Sequence, residues 1–224
     1  MRKEVLILDA TMINTLTTGI IETIYMVFVS MIVTYVFGLP LGVILFVTDK
    51  GSLYPNRIVN LILGFLVNVF RSIPFLILLV LLLPFTRFVV GTTLGSTATI
   101  VPLVVSAIPF VARMVESSLK EVDAGVIEAA LSMGSNWWQL ITKVLLPEAK
   151  PSLAVGAVIT SVTVLGYSAM AGFVGGGGLG TIAINYGYYR YDNNVMIITV
   201  AVIVIIVQLI QVLGMKLATK IDKR

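Results

Sequence analysis

The chain has 224 residues, 58% hydrophobic and 12% charged, with a mean hydropathy of +1.05. A water-soluble domain carries about 25% charged residues; here the apolar surface exceeds what one core of this length can hide, so lipid is the solvent for most of the chain. There is no cysteine and no histidine, which excludes disulfides, thiolate nucleophiles, imidazole bases and the usual zinc sites; the net charge of +4 forms no clustered basic face, so the bilayer and not nucleic acid is the expected surroundings.

The opening "MRKEVLILDATMINTL" has a short apolar run broken by Asp9 and lacks the core and cleavage site of a signal peptide; residues 1–17 are read as a short N-terminal segment. Residues 19–47 carry only Glu22 as a charge and form a first span, since about 20 apolar residues cross a bilayer. Gly38 and Gly42, four apart, allow close helix approach. After the polar turn "DKGSLYPNR", residues 58–85 read as one long second helix bent near Pro74, with Arg71 inside it. "TRFVVGTTLGST" reads as a loop, and residues 98–115 as a third span. A polar segment over 120–150 follows, and residues 153–173, rich in Gly, Ala, Ser and Thr, form a fourth span that faces other helices or a pathway. "GGGGLGTIAINYGYYRYDNN" reads as a loop with tyrosines suited to an interface belt, residues 195–215 as the fifth span, and residues 216–224 as a basic tail.

The expected architecture is therefore all-α, a polytopic membrane protein with five transmembrane helices. With the polar segment inside, the cytoplasmic side holds Lys50, Arg57, Arg113, Lys120, Lys143, Lys150, Lys216, Lys220, Lys223 and Arg224, against Arg2, Lys3, Arg87 and Arg190 outside. That bias places the N-terminus outside and the C-terminus inside.

Within the polar segment, Asp123 is placed to cap a helix running to Met133, Gly134 to break it, and Ser135 to cap a second helix that Pro147 helps to stop. On the second helix Trp137, Leu140, Ile141, Val144 and Leu145 fall on one apolar stripe. Periodicity alone leaves two readings open: a helix lying on the headgroups, or one that docks into a groove on a soluble partner.

Glu128, Ala129 and Ala130, then Gly134 after three residues, Val144 after nine more, and Leu146–Pro147 after one more resemble the EAA loop of bacterial ABC-importer permeases. Val144 stands where that pattern usually has Ile. In that family the loop docks into a cleft on the ATP-hydrolysing subunit, so the resemblance makes Glu128, Ala129, Ala130, Gly134, Trp137, Leu140, Ile141, Val144, Leu146 and Pro147 coupling residues. "NVFRSIPFLILLVLLLPFTRFVVGT", "IPFVARMVE" and "VLGYSAMAGFVGGGGLG" are similar to the methionine branch of these permeases. The resemblance implies a type I ABC importer fold, a second copy of the chain, two separate ATPase subunits, an extracytoplasmic substrate-binding protein, and the bacterial cytoplasmic membrane. It also implies D- and L-methionine as cargo carried by alternating access, and no cofactor on this chain, ATP and Mg2+ residing on the partner ATPase. Another small solute, such as another amino acid, an osmolyte or a phosphonate, is the alternative cargo; a stand-alone channel or carrier is a more distant one.

Gly175, Gly177 and Gly180 formally fit a dinucleotide fingerprint, but no strand precedes them, and "GGGGLGT" lacks the lysine of a phosphate-binding loop. Gly175, Gly176, Gly177, Gly178 and Gly180 read instead as a tight turn capping the fourth span, or as part of an external gate. Arg71 lies fourteen residues beyond Arg57, about 21 Å along a regular helix. It reads either as a structural cation paired with loosened helix carbonyls or a carboxylate, or as a guanidinium facing the pathway. Met170, with Tyr167 and Ser168 close by in "GYSAMAGF", either fills a gap or closes a narrow channel with its counterpart in a second copy.

Overall fold

A computed structural model describes residues 10–222; Arg2, Lys3, Lys223 and Arg224, used above for topology, lie outside the described residues. All regular structure among the described residues is helical. Among the described residues four helices are long and apolar enough to cross a membrane, and a fifth crossing results if two broken pieces count as one.

Helix α1 runs Ala10–Thr48, starting ahead of the expected first span. The hydroxyls of Thr15, Thr17 and Thr18 donate to carbonyls one turn back at 2.9, 2.8 and 3.0 Å, so these polar side chains are satisfied without leaving the helix. The expected long second helix is instead broken into α2 (Arg57–Ser72), α3 (Phe75–Leu81) and α4 (Leu83–Val90). Pro74 disfavours helical geometry in the residue before it, and Ile73 is extended at φ −81, ψ 123. Gly91, left-handed at φ +84, ends α4, so much of the expected loop "TRFVVGTTLGST" is helix. Helix α5 spans Ser96–Lys120, longer than expected at both ends.

The polar segment contains α6 (Ala124–Ser132), a single turn α7 (Trp137–Gln139), a π-helical stretch Leu140–Leu145 and a further turn α8 (Leu146–Glu148). Helix α9 covers Lys150–Met170 and tightens to 3-10 geometry over Ala171–Val174. The expected loop after the glycines holds α10 (Gly178–Ile182) and a π-helical turn Ala183–Tyr188, because Leu179 and Ile182 are buried beside Leu16 and Val195. Helix α11 is Asn193–Ile221. Only 11% of its most apolar stretch is buried, leaving Ile197, Val204, Ile205, Leu209 and Leu213 facing outward, as a lipid-exposed helix requires.

The chain divides into two compact units. The first comprises residues 10–32, 74–104 and 161–209; its apolar cluster centres on Leu16, Leu179, Ile182 and Val195. The second comprises residues 33–73, 105–160 and 210–222, around Phe46, Val111, Val115, Leu119, Leu140 and Leu145. In the second unit Gly38 and Gly42 lie against α5: a Cβ at Gly38 would sit 2.8 Å from Val111, and one at Gly42 would sit 2.6 Å from the Ala112 carbonyl oxygen. The expected packing role of these two glycines is what the geometry shows. Gly42→Val is therefore expected to destabilise the protein by about 1–3 kcal/mol through overpacking, measured as a lower Tm in detergent.

Candidate coupling loop and glycine turn

The loop of the second unit is closed by local hydrogen bonds. The Asp123 carboxylate accepts from the Gly125 N–H at 2.8 Å, capping α6 as expected. At the other end Gly134 adopts φ +80, donating its N–H to the Leu131 carbonyl at 2.9 Å while the Ser135 N–H reaches Ala130 at 3.1 Å. This pair of bonds is a Schellman closure. Because the Ser135 N–H is used there, the cap of the next helix is Asn136 and not Ser135: Asn136 Oδ1 accepts from the Gln139 N–H at 2.8 Å, and Gln139 Oε1 accepts from the Asn136 N–H at 3.0 Å. The reciprocal pair is a capping box with Gln at the third position. Pro147 does not stop the helix but lies in the first turn of α8, where its missing N–H leaves no bond unmade.

The expected apolar stripe divides. Leu140, Ile141 and Leu145 are buried in the chain's own core, with Val144 and Leu146 packed beside them. Trp137 turns outward, 50% exposed, edge-on to the exposed Trp138 at 5.8 Å. The π-helical turn from Leu140 shifts the faces that a period of 3.6 would align. Glu128, Ala129 and Pro147 are at least partly accessible and Ala130 is buried. The free face thus presents Glu128, Leu131, Met133, Trp137 and Trp138, and beside it lies a cleft of ≈ 760 Å³ lined in part by Asp49, Tyr54, Lys120, Glu128 and Trp137.

An ion network in the same unit has no counterpart in the sequence reading. Lys120 Nζ lies 2.7 Å from Asp49 Oδ2 and 2.9 Å from Glu116 Oε1, and Arg113 Nη1 lies 2.6 Å from Glu116 Oε2. Arg113 Nη2 also donates to the Gly64 carbonyl and to Asn68 Oδ1. The i+3 and i+4 spacing about Glu116 was the available signal. Arg71 is exposed in the last turn of α2, where a cation faces the helix's free carbonyls, and it makes no ion pair among the described residues.

The remaining candidates belong to the first unit. Tyr167 stacks on Phe75 with ring centroids 4.5 Å apart and planes 1° from parallel. Ser168 is buried and donates to the Leu165 carbonyl at 2.7 Å, while Met170 ends α9 with 44% of its surface exposed. The glycines do form a tight turn: Gly175, Gly177 and Gly178 have φ of +74, +80 and +69. Gly172 and Gly180 pack backbone on backbone, a Cβ at Gly180 colliding with the Ala169 carbonyl oxygen. Side chains that the sequence reading did not single out hold this turn. The Gly178 N–H donates to Glu22 Oε2 at 2.6 Å, the Leu179 N–H to Thr23 Oγ1 at 2.9 Å, and the Thr99 hydroxyl to the Gly176 carbonyl at 2.9 Å.

Several membrane-length helices and a polar loop of this pattern between them are the form of a membrane permease. Residues 38–224 match the family described as binding-protein-dependent transport system inner membrane component, and the chain is a member of it, a transport component and not an enzyme. It is 51% identical over 209 residues to the probable D-methionine transport system permease protein MetI of Vibrio cholerae, covering 93% of each chain. It is 49% identical over 181 residues to the methionine import system permease protein MetP of Bacillus subtilis, covering 81% of this chain and 82% of that one. Among solved structures, inward-facing MetNI methionine ABC transporter has a chain with TM-score 0.94 and 47% identity, covering 96% of this chain and 100% of that one. An amino acid ABC transporter at 20% identity and TM-score 0.77 shares the fold.

The hydrogen bond from Lys120, with that from the Lys50 N–H, holds the Asp49 carboxyl below the usual carboxylate range. A depressed folded pKa means that the stability it contributes is present above the unfolded value, about 3.9, and is lost as pH falls through the folded one. Asp49→Asn is therefore expected to lower stability at neutral pH by less than about 1 kcal/mol, since the pair is partly solvated. The difference from wild type should close as the pH drops below the carboxylate range, read from Tm against pH for both proteins.

Proposed function

We propose that the chain is the permease subunit of an ATP-driven methionine importer. The observation that carries this reading is 51% identity, extending over 93% of the chain, to a permease named for D-methionine transport. Two copies of the chain would surround the pathway, two ATPase subunits carrying ATP and Mg2+ would bind inside, and an external binding protein would deliver D- or L-methionine. The setting is a bacterial cytoplasmic membrane, N-terminus outside and C-terminus inside, with alternating access driven entirely by the ATPase. Uptake of labelled methionine into proteoliposomes holding the whole complex tests the cargo. Unlabelled methionine should compete, and competition only by an unrelated solute would overturn the assignment.

Coupling is assigned to the free face of the loop. Glu128→Lys and Gly134→Leu should each leave membrane insertion intact while separating ATP hydrolysis from uptake. Glu128 is exposed in the docking element, and Gly134 is in a left-handed conformation that leucine rarely adopts. Full ATP-driven uptake in both variants would refute the assignment. Cysteines introduced singly at Met133, Trp137 and Trp138 of this cysteine-free chain should lose thiol reactivity when the ATPase binds. Protection by lipid alone, unchanged by the ATPase, would favour an interfacial helix.

At the end of α9 the half-exposed Met170 is assigned to a constriction between the two copies, with Tyr167 and Ser168 fixed behind it. Met170→Ala should open a leak that needs neither ATP nor the binding protein, because two flexible thioethers are removed without adding charge. Passive solute flux measured beside thermal stability decides this, since a destabilised but tight variant means packing only.

A further inference from the structure

We infer that Glu22 is the latch of the glycine turn, a positioning residue whose bond to the Gly178 N–H holds the turn in the inward-facing form and is released when the pathway opens outward. This rests on the importer reading. Glu22 is the only charged residue in α1, and a carboxylate in a membrane helix is unfavourable enough that its presence points to a specific partner. That partner is the backbone of the turn: Oε2 accepts from Gly178 at 2.6 Å, across 156 residues of sequence. The neighbouring Thr23 accepts from Leu179 at 2.9 Å while its own hydroxyl donates to the Gly19 carbonyl at 2.8 Å.

The opposite side of the turn is held as firmly. The Gly95 N–H donates to the Gly175 carbonyl at 2.9 Å, and the Thr99 hydroxyl donates to Gly176 at 2.9 Å. A Cβ at Gly177 would fall 3.0 Å from Glu22 Oε2 and 3.0 Å from the Ser96 nitrogen, so the turn fits its cradle only as glycine. A turn meant solely to end a helix closes on that helix's own carbonyls, as at Gly134. This one does so at Gly175 and Gly176 but takes two further acceptors from α1, for Gly178 and Leu179, and the chain is similar in fold, at TM-score 0.94, to a transporter solved facing inward. A bond made in one of two states and broken in the other sets their balance by its own strength.

The test uses the assembled complex of permease, ATPase and binding protein. Glu22→Met keeps length but removes the acceptor; Glu22→Gln keeps an acceptor carbonyl at the same reach. Glu22→Met should raise ATP hydrolysis in the absence of binding protein by about tenfold, a shift of about 1.4 kcal/mol in the resting balance. Glu22→Gln should stay within about twofold, because a neutral acceptor retains most of the bond. Wild-type hydrolysis in an assembled Met variant, or equal rises in Met and Gln, overturns the latch. If the Met variant does not assemble, Thr23→Val is measured instead: a rise in the same direction supports the latch and an unchanged rate overturns it. Failure of the importer reading itself is separate, since wild type would then show no hydrolysis stimulated by binding protein and methionine.

Discussion

Hydrocarbon offers no water to bond a backbone, so every N–H and C=O within the membrane has to find a partner in the chain itself. Long helices meet that demand automatically; the informative places are the interruptions. At Pro74 the lost N–H is followed at once by a new helix, the Pro74 carbonyl accepting from Ile77 and Leu78 at 3.0 Å each. At the glycine turn Gly175 and Gly176 close on their own helix, as Gly134 does in the polar loop, while Gly178 and Leu179 bond side chains of α1. Each interruption is satisfied, and the manner of satisfaction differs with its use.

The same constraint sorts the charges. Glu116, with its side chain 8% exposed, sits between Arg113 and Lys120, and Arg113 spends its remaining donors on α2. Removing Arg113 would leave the buried Glu116 carboxylate with Lys120 alone, which is more disruptive than loss of the partly solvated Lys120–Asp49 pair. Glu22 has no cationic partner of this kind among the bonds of the turn; peptide N–H groups take its place. The first arrangement knits helices together permanently, whereas the second depends on the position of one turn.

Legibility in the sequence followed distance along the chain. The first, third, fourth and fifth spans, the Asp123 cap and the Gly134 break were readable because their signals are local, whereas the second span is broken at Pro74 and again at Leu82. Asn136 was missed because both Ser135 and Asn136 are good caps, and the choice turns on which N–H the preceding closure has consumed. The stripe from Trp137 was misjudged at its first member because the helix widens from Leu140, which periodicity at 3.6 cannot anticipate. The helix over Gly178–Ile182 was hidden by its glycines, whose isolated preference is against helix. Glu22 with Gly178 and Arg113 with Asn68 are separated by 156 and 45 residues; no local pattern encodes such pairs.

The two turns therefore differ in what their remaining bonds reach. In the loop that contains Glu128, the side chains of Leu140, Ile141 and Leu145 are embedded with Phe46, Val111, Val115 and Leu119, and close-packed interiors transmit displacement without absorbing it. Its Schellman closure and capping box are internal to the loop, so movement of the Glu128 and Trp137 face has no soft joint there in which to dissipate. The glycine turn also closes on its own helix, Gly175 and Gly176 donating to Gly172 and Ala171 at 3.3 and 3.0 Å, but its remaining bonds go elsewhere. The Gly178 and Leu179 N–H groups are satisfied by α1, and the Gly175 and Gly176 carbonyls by Gly95 and Thr99, so these bonds can be exchanged when those elements shift while the glycines tolerate the change in φ and ψ. A stiff element and a turn whose outer bonds can be exchanged are two properties that a device switching between discrete states requires.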